Sequence, residues 1–159
     1  YKRINAKTAS LFEMTCKAAA MISPAAPAAI ESMGQFGHET GMAFQIVDDV
    51  LDFSGQQADM GKPIGFDLLG GLVTLPAIYY AEAFPDDPDV RALADGGWAN
   101  TERMARLVES IRKTDAIRQA MNEAYEHVDR ALQRLAEFEP GPEREALENL
   151  ARFIVDRKV

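Results

Sequence analysis

The residues best suited to chemistry are three aspartates placed close together in an apolar segment. Asp48, Asp49 and Asp52 stand at positions i, i+1 and i+4 between Phe44 and Phe53. In a helix, Asp48 and Asp52 point the same way about one turn apart. Carboxylates among apolar residues are costly unless a cation or a shifted pKa compensates. With no His or Cys nearby, such hard oxygen ligands favour Mg²⁺ held by one or two carboxylates and by phosphate oxygens of a substrate.

Polar residues that suit an anion lie on both sides of these acids. Gln45 precedes Asp48 by about one helical turn and can order a water or a ligand. Lys62 lies in a glycine-rich loop, from which a flexible ammonium can reach a phosphate. Lys7 and Thr8 add an ammonium and a hydroxyl, which would lie beside the aspartate helix if the two helices pack antiparallel. Each lysine taken alone is better explained as a surface residue.

The composition restricts the partners and the compartment. The 159-residue chain has a formal net charge of -8, which argues against nucleic acid or an anionic membrane surface as a partner. An anionic substrate would therefore need bound cations. The single cysteine, Cys16, excludes an internal disulfide and favours a reducing, cytoplasmic location. No apolar run approaches the length of a membrane span.

Helical spacing dominates the chain, and no alternating strand pattern of useful length is present, so the predicted class is all-α. A helix is predicted from Ile4 to Ile22, with Ser23 as a cap and Pro24 in the first turn of the next helix. That next helix is uninterrupted from Pro27 to Phe53. Later helices are predicted from about Asp67 to Phe84, with Pro76 as a kink or first-turn residue, and over Thr101–Lys113, Asp115–Phe138 and Glu143–Val155.

A stripe of glycines lies on the face of the second helix that carries Gln45, Asp48 and Asp52. Its members are Gly34, Gly37 and Gly41. Each costs about 1 kcal/mol relative to alanine in a helix interior, so the stripe needs a reason. Two reasons remain open: close packing of a neighbouring helix, or a slot in which a ligand tail could lie.

Taken together, these segments resemble a known family. Phe44–Phe53, Gly61–Leu68 and Thr74–Pro76 resemble the trans-type polyprenyl diphosphate synthases, with the acids similar to that family's second aspartate-rich motif. Lys7–Ala9 is similar to the family's Lys-Thr-Ala segment. The likeness covers essentially the whole chain, which we expect to form a single helical domain over residues 1–159.

The resemblance implies an isoprenoid synthase-type helical bundle and a prenyltransferase activity. Mg²⁺ would be held by Asp48 and Asp52, with Asp49 assisting, while Lys7, Thr8, Gln45 and Lys62 would contact the allylic diphosphate. Isopentenyl diphosphate would be the second substrate, and the family implies a homodimer.

The chain departs from this family in two respects. It lacks the first aspartate-rich motif and the upstream basic segment, and with its opening at Tyr1 inside a helical pattern we expect it to be the C-terminal part of a longer enzyme, inactive alone. It also has Leu72 where many relatives have a lysine. A non-catalytic subunit that binds or regulates a complete synthase is the main alternative, and a terpene cyclase fits less well.

Three other features are predicted to be structural. The acids at Asp86, Asp87 and Asp89 lie between prolines and are expected to cap a helix or meet solvent. His38 and His127 have no ligand partner at useful spacing and are expected to have structural roles.

Overall fold

The computed structural model describes residues 1–54 and 63–157. Over these two ranges the regular structure is helical and no strand occurs, which confirms the all-α class. Gly61 and Lys62 lie outside the described residues, so the loop predicted for them stays a prediction.

The first predicted helix forms, with a widened turn near its start. The elements are α1 (Lys2–Ile4), a π-helical segment (Asn5–Ala9) and α2 (Ser10–Met21), followed by α3 (Pro27–Leu51). The break differs in detail from the prediction. The Ser23 hydroxyl donates to the carbonyl of Ala20 at 2.8 Å, which closes α2 instead of capping α3. Pro27, not Pro24, is the first residue of α3, a position where the missing N–H costs nothing.

The helix predicted to start near Asp67 and to pass through Pro76 is in fact two helices. They are α4 (Phe66–Leu69) and α5 (Leu75–Ala83). Gly71 lies between them with φ +81°, a conformation that stops a helix and favours glycine. Pro76 lies in the first turn of α5, so the first-turn alternative is correct and the kink is wrong.

The later helices follow the predicted amphipathic segments. They are α6 (Pro88–Ala94), α7 (Thr101–Arg112), α8 (Ala116–Leu135) and α9 (Pro142–Val155), with a 3₁₀ turn at Gly97–Ala99. Helix α6 was not predicted. It begins after Asp87, whose carboxylate accepts from the N–H groups of Asp89 at 2.7 Å and Val90 at 3.3 Å. The predicted capping role of this acid cluster is confirmed for Asp87.

The described chain divides into two compact units. One comprises Tyr1–Val47 and the described residues from Glu123 onward, and the other comprises the described residues of Asp48–Asn122. The boundary falls within α3, just before the first aspartate. The single-domain assignment therefore stays a prediction.

The first unit buries apolar side chains of α3, α8 and α9. Its buried side chains include Phe36, Met42, Ala43, Ile46, Val47, Ala124, Val128, Ala131, Leu135, Ala151, Ile154 and Val155. A polar group lies within the same unit. His127 Nδ1 is 2.7 Å from Glu39 Oε2, and Arg130 donates to that oxygen at 2.9 Å. His127 is thus part of a hydrogen-bond network with Glu39 and Arg130, as expected of a structural histidine.

The second unit is built around α7. Its core cluster comprises Phe53, Leu68, Ala77, Tyr80, Val90, Met104, Leu107, Val108, Ile111 and Ala116. Gly65 allows the start of α4 to pack closely against this core, because a Cβ at position 65 would lie only 2.4 Å from Val108 Cγ2. Its φ of +70° also favours glycine.

No helix among the described residues is long and apolar enough to cross a membrane.

Candidate functional site

The Lys7-Thr8-Ala9 segment lies in the π-helical turn near the start of the chain. This turn spans Asn5–Ala9, and its side chains range from exposed Lys7 through part-buried Thr8 to fully buried Ala9. π-helical turns are rare and concentrate at functional sites, because the widened turn moves side chains off the regular helical register. Its coincidence with one of the predicted substrate-binding segments marks this turn as a functional candidate.

Thr8 and Gln45 meet across 37 residues of sequence. The Thr8 hydroxyl donates to Gln45 Oε1 at 2.7 Å, and Gln45 is only 3% exposed. The bond consumes one acceptor of the amide and leaves the amide NH₂ group as its donor end. The structure therefore brings together two of the predicted diphosphate-binding residues and fixes which atom of Gln45 faces Thr8.

The glycines of α3 allow α2 and the π-helical turn to approach closely. A Cβ on Gly41 would lie 2.7 Å from the Cα of Ala9, and a Cβ on Gly37 would lie 2.5 Å from the carbonyl oxygen of Phe12. Both contacts are with backbone, which cannot rotate away. Close packing is thus the explanation for Gly37 and Gly41, and the slot for a ligand tail is not needed there.

Phe44 is held between an aromatic ring and a cation. Its ring centroid is 5.5 Å from that of Phe12, and the guanidinium carbon of Arg157 is 4.6 Å from the Phe44 centroid. Arg157 also donates to the Phe44 carbonyl at 3.4 Å and to the Ile154 carbonyl at 3.2 Å. A guanidinium over an aromatic face is attractive, so the end of the described chain helps to fix the residue that precedes Gln45.

The three aspartates differ in exposure. Asp48 is partly exposed, whereas Asp49 and Asp52 are 5% and 4% exposed. The backbone N–H of Asp52 donates to the Asp48 carbonyl at 3.2 Å, which continues the last turn of α3. Membership of one sequence motif therefore does not give the three carboxylates equal access to a ligand.

Asp52 is hydrogen-bonded to the segment that contains Gly65 and Asp67. One of its carboxylate oxygens, Oδ2, accepts from the N–H of Asp67 at 3.0 Å, and its main-chain carbonyl accepts from Gly65 at 2.8 Å. Burial raises the pKa of Asp52 above its ordinary value, backbone hydrogen bonds from Asp67 and Phe66 oppose the rise, and the nearby carboxylates of Asp67 and Asp48 add to it. Burial and the neighbouring carboxylates thus outweigh the backbone donors in their effect on this pKa.

The donor set of the cluster suits Mg²⁺, although the described residues contain no closed cage. No group of three or more His, Cys, Asp or Glu side chains among them is arranged to surround a metal ion. Mg²⁺ does not require such a cage, because it commonly takes one or two carboxylates and completes its shell with waters and phosphate oxygens. A partly exposed carboxylate beside buried ones fits that mode of binding.

Two other predicted features have definite outcomes. Lys62 falls outside the described residues, so its position relative to the aspartates stays a prediction. Leu72 is half-buried and its N–H donates to the Asp67 carbonyl at 2.8 Å, so the residue found in place of a lysine helps to close the turn after α4.

Sequence reasoning missed the contacts that join distant segments. Arg157 is 113 residues from Phe44, and no local pattern links them. The hydrogen bond between Asp67 and Asp52 could not be predicted from a local pattern either. An acidic residue such as Asp67, two residues after Gly65, is nevertheless a recognisable sign of a helix start.

Comparison with known proteins gives consistent matches. A family model described as Polyprenyl synthetase matches residues 1–126. The heptaprenyl diphosphate synthase component 2 of Geobacillus stearothermophilus is 37% identical over 157 residues, which cover 98% of this chain and 48% of that protein.

Solved structures agree with these sequence matches. Heptaprenyl diphosphate synthase from Staphylococcus aureus matches with a TM-score of 0.90 and 31% identity, over 99% of this chain and 49% of that one. A polyprenyl synthase from Caulobacter crescentus CB15, solved with calcium and isoprenyl diphosphate, matches with a TM-score of 0.85 and 34% identity, over 98% of this chain and 48% of that one. These matches confirm the predicted helical fold. The chain spans about half the length of these relatives.

Proposed function

Because the chain belongs to the polyprenyl synthetase family, we propose that the protein containing it is a trans-polyprenyl diphosphate synthase. Its substrates would be an allylic diphosphate and isopentenyl diphosphate. The observation that carries the proposal is the 2.7 Å bond from Thr8 to Gln45, because it joins two segments that the resemblance assigns to diphosphate binding. The relative solved with calcium and isoprenyl diphosphate supports the same substrate class.

The reaction begins when the carbon–oxygen bond of the allylic diphosphate breaks and its electron pair leaves with the diphosphate. The double bond of isopentenyl diphosphate then attacks the allylic cation, and loss of a proton completes the new five-carbon unit. Bound Mg²⁺ would supply positive charge to the leaving diphosphate.

The residues of this chain would prepare that step by binding and orienting the diphosphate. The acid cluster of Asp48, Asp49 and Asp52 is the proposed metal site, and Asp48, the most exposed of the three, is its proposed direct contact. Lys7 and Lys62 would place ammonium groups on the diphosphate, and the Gln45 amide NH₂ would donate to it while Thr8 holds the other end of that amide. Preorganised groups of this kind stabilise charge that develops in a transition state.

The direct test is prenyl transfer by the full-length protein, with Mg²⁺ and labelled isopentenyl diphosphate. Asp48→Ala should lower turnover by at least about a hundredfold, the scale for loss of one transition-state stabiliser. Asp86→Ala is the matched control, because Asp86 is an acid of the same unit whose side chain is 88% exposed and pairs with Arg91. Equal activity of the two variants would contradict the proposed site.

A subunit that depends on a partner is the second candidate. It is favoured by the Geobacillus relative, whose name describes one component of a synthase. In that case the purified full-length protein would be inactive alone and would gain activity when a lysate of its own host is added. If Asp48→Ala then had no effect, the subunit would be non-catalytic. A homodimer and a cytoplasmic location stay predictions.

A further inference from the structure

The described contacts of the Asp52 side chain run to the start of α4. Its Oδ2 accepts from the Asp67 N–H at 3.0 Å, and the Phe66 N–H is a second backbone donor to the carboxylate. These N–H groups belong to the first turn of α4, where no intrahelical acceptor is available to them. The N-cap residue Gly65 has no side chain that could serve instead. The Asp52 carboxylate, at the end of α3, thus accepts the hydrogen bonds that an N-cap side chain usually accepts from the first turn of its own helix.

Main-chain contacts fix the same junction. The main-chain carbonyl of Asp52 accepts from the Gly65 N–H at 2.8 Å. Gly65 lies two residues before Asp67, whose N–H donates to the Asp52 carboxylate. On the other side, Gly65 lies directly against Val108 of α7, and Leu68 is fully buried. Helix α4 is therefore held between the core on α7 and the carboxylate of Asp52.

Burial separates Asp52 from Asp48. Asp52 is 4% exposed and faces backbone donors, whereas Asp48 is partly exposed. A metal that keeps several waters needs a carboxylate that solvent and substrate can reach. On this criterion Asp48 is the better ligand, and Asp52 is better suited to hold structure around it.

We propose that Asp52 is a positioning residue: its carboxylate fixes the first turn of α4 to the end of α3, and the metal is contacted through Asp48. The assignment of Asp48 rests on the proposed function, whereas the role of Asp52 rests on the hydrogen bonds alone. Spacing in the sequence makes Asp48 and Asp52 equivalent, and the structure gives them different roles.

Three variants of the full-length protein test this assignment. Asp52→Asn keeps a carbonyl oxygen that can accept from Asp67 but removes the charge that a metal would need. Asp52→Ala removes both. Asp48→Asn is the matched control, because it makes the same chemical change at the partly exposed aspartate. Each is measured for its thermal midpoint and for the Mg²⁺ concentration that gives half-maximal prenyl transfer.

We expect Asp52→Ala to lower the thermal midpoint by about 2 °C or more, and Asp52→Asn to recover most of that loss. The Mg²⁺ concentration for half-maximal activity should stay within about threefold of wild type in Asp52→Asn and rise at least about tenfold in Asp48→Asn, a change of about 1.4 kcal/mol. Turnover should fall less in Asp52→Asn than in Asp52→Ala.

Either of two results would overturn the proposal. One is a Mg²⁺ requirement that rises as much in Asp52→Asn as in Asp48→Asn, which would make Asp52 a ligand. The other is a thermal midpoint that does not distinguish Asp52→Ala from Asp52→Asn, which would remove the cap. If the wild-type protein shows no prenyl transfer, either alone or with a lysate of its own host, the proposed function fails, and the thermal comparison still decides whether Asp52 is a cap.

Discussion

The glycines of α3 provide the most quantitative prediction. Gly37→Ala and Gly34→Ala make the same change on the same helix, and each gains about 1 kcal/mol of helix propensity. At Gly34 the new Cβ meets the flexible side chain of Lys17 at 3.4 Å, an ordinary contact. At Gly37 it would lie 2.5 Å from the carbonyl oxygen of Phe12 and 2.8 Å from its carbonyl carbon. That clash can be relieved only by moving the backbone of α2.

The difference between the two variants isolates the steric cost, because the gain in propensity cancels. Forcing extra volume into a packed contact typically costs about 1–3 kcal/mol. Gly34→Ala should therefore be at least as stable as wild type, and Gly37→Ala should be less stable than Gly34→Ala by about 1–3 kcal/mol.

The measurement is the free energy of unfolding of the full-length protein, from urea denaturation monitored by circular dichroism. The slope against urea should be unchanged in both variants, which would show that unfolding exposes as much surface as it does in the wild-type protein. Stabilities that agree within about 0.5 kcal/mol, well under that steric cost, would refute close packing as the reason for Gly37 and would reopen the slot for a ligand.

Two further predictions concern the first unit. Thr8→Val removes the hydroxyl that donates to Gln45 at 2.7 Å. The net loss of about 1 kcal/mol should raise the KM for the allylic diphosphate about fivefold, whereas Thr8→Ser should retain most of the affinity. Equal KM values of the two variants in steady-state kinetics would contradict the role of the bond. Burial opposes the ionisation of Glu39, but hydrogen bonds from His127 and Arg130 hold its pKa below the ordinary 4.5. The stabilising contribution of the Glu39 carboxylate is therefore complete above pH 4.5 and is lost as the pH falls through the lowered pKa of the folded state. Glu39→Gln should therefore have a lower free energy of unfolding than wild type at pH 7, and this free energy should fall less on acidification than that of wild type. Parallel urea titrations at pH 7 and pH 3 check this. If the free energy of unfolding falls equally in both proteins, Glu39 is not the source of the acid dependence.

The sequence predicted the helices well where a periodic pattern ran between clear breaks. The two final helices, α8 and α9, have apolar residues at helical spacing and end near Pro140 or the chain end, so their existence was evident. The region after the glycine-rich loop was harder. Its glycines and Pro76 allow either one kinked helix or two short helices. The positive φ of Gly71 ends the first helix, and this residue packs against Trp98, whose side chain would lie 3.1 Å from a Cβ at position 71.

The candidate site was predictable in composition and less so in arrangement. Acid spacing and the lysine-threonine pair suggest the candidate residues, because these patterns depend on side-chain chemistry, and the roles of the residues stay predictions. The 2.7 Å contact of Thr8 with Gln45 depends on how closely two helices approach, and that distance is set by Gly37 and Gly41. The glycine stripe was visible in the sequence, but glycine permits both a contact and a cavity. Only the position of Phe12 and Ala9 distinguishes the two.

The aspartate cluster shows why a motif does not assign roles within itself. A helical repeat fixes direction, so Asp48 and Asp52 were expected to act together. Whether a carboxylate is available to a cation depends on what else donates to it, and α4 supplies N–H groups to Asp52 from outside the motif. A buried carboxylate that accepts backbone hydrogen bonds already has partial compensation for its charge, whereas a partly exposed one can exchange water for metal and phosphate. The acids of one motif can therefore divide their work, with Asp48 directed to the ligand and Asp52 to the fold that presents it.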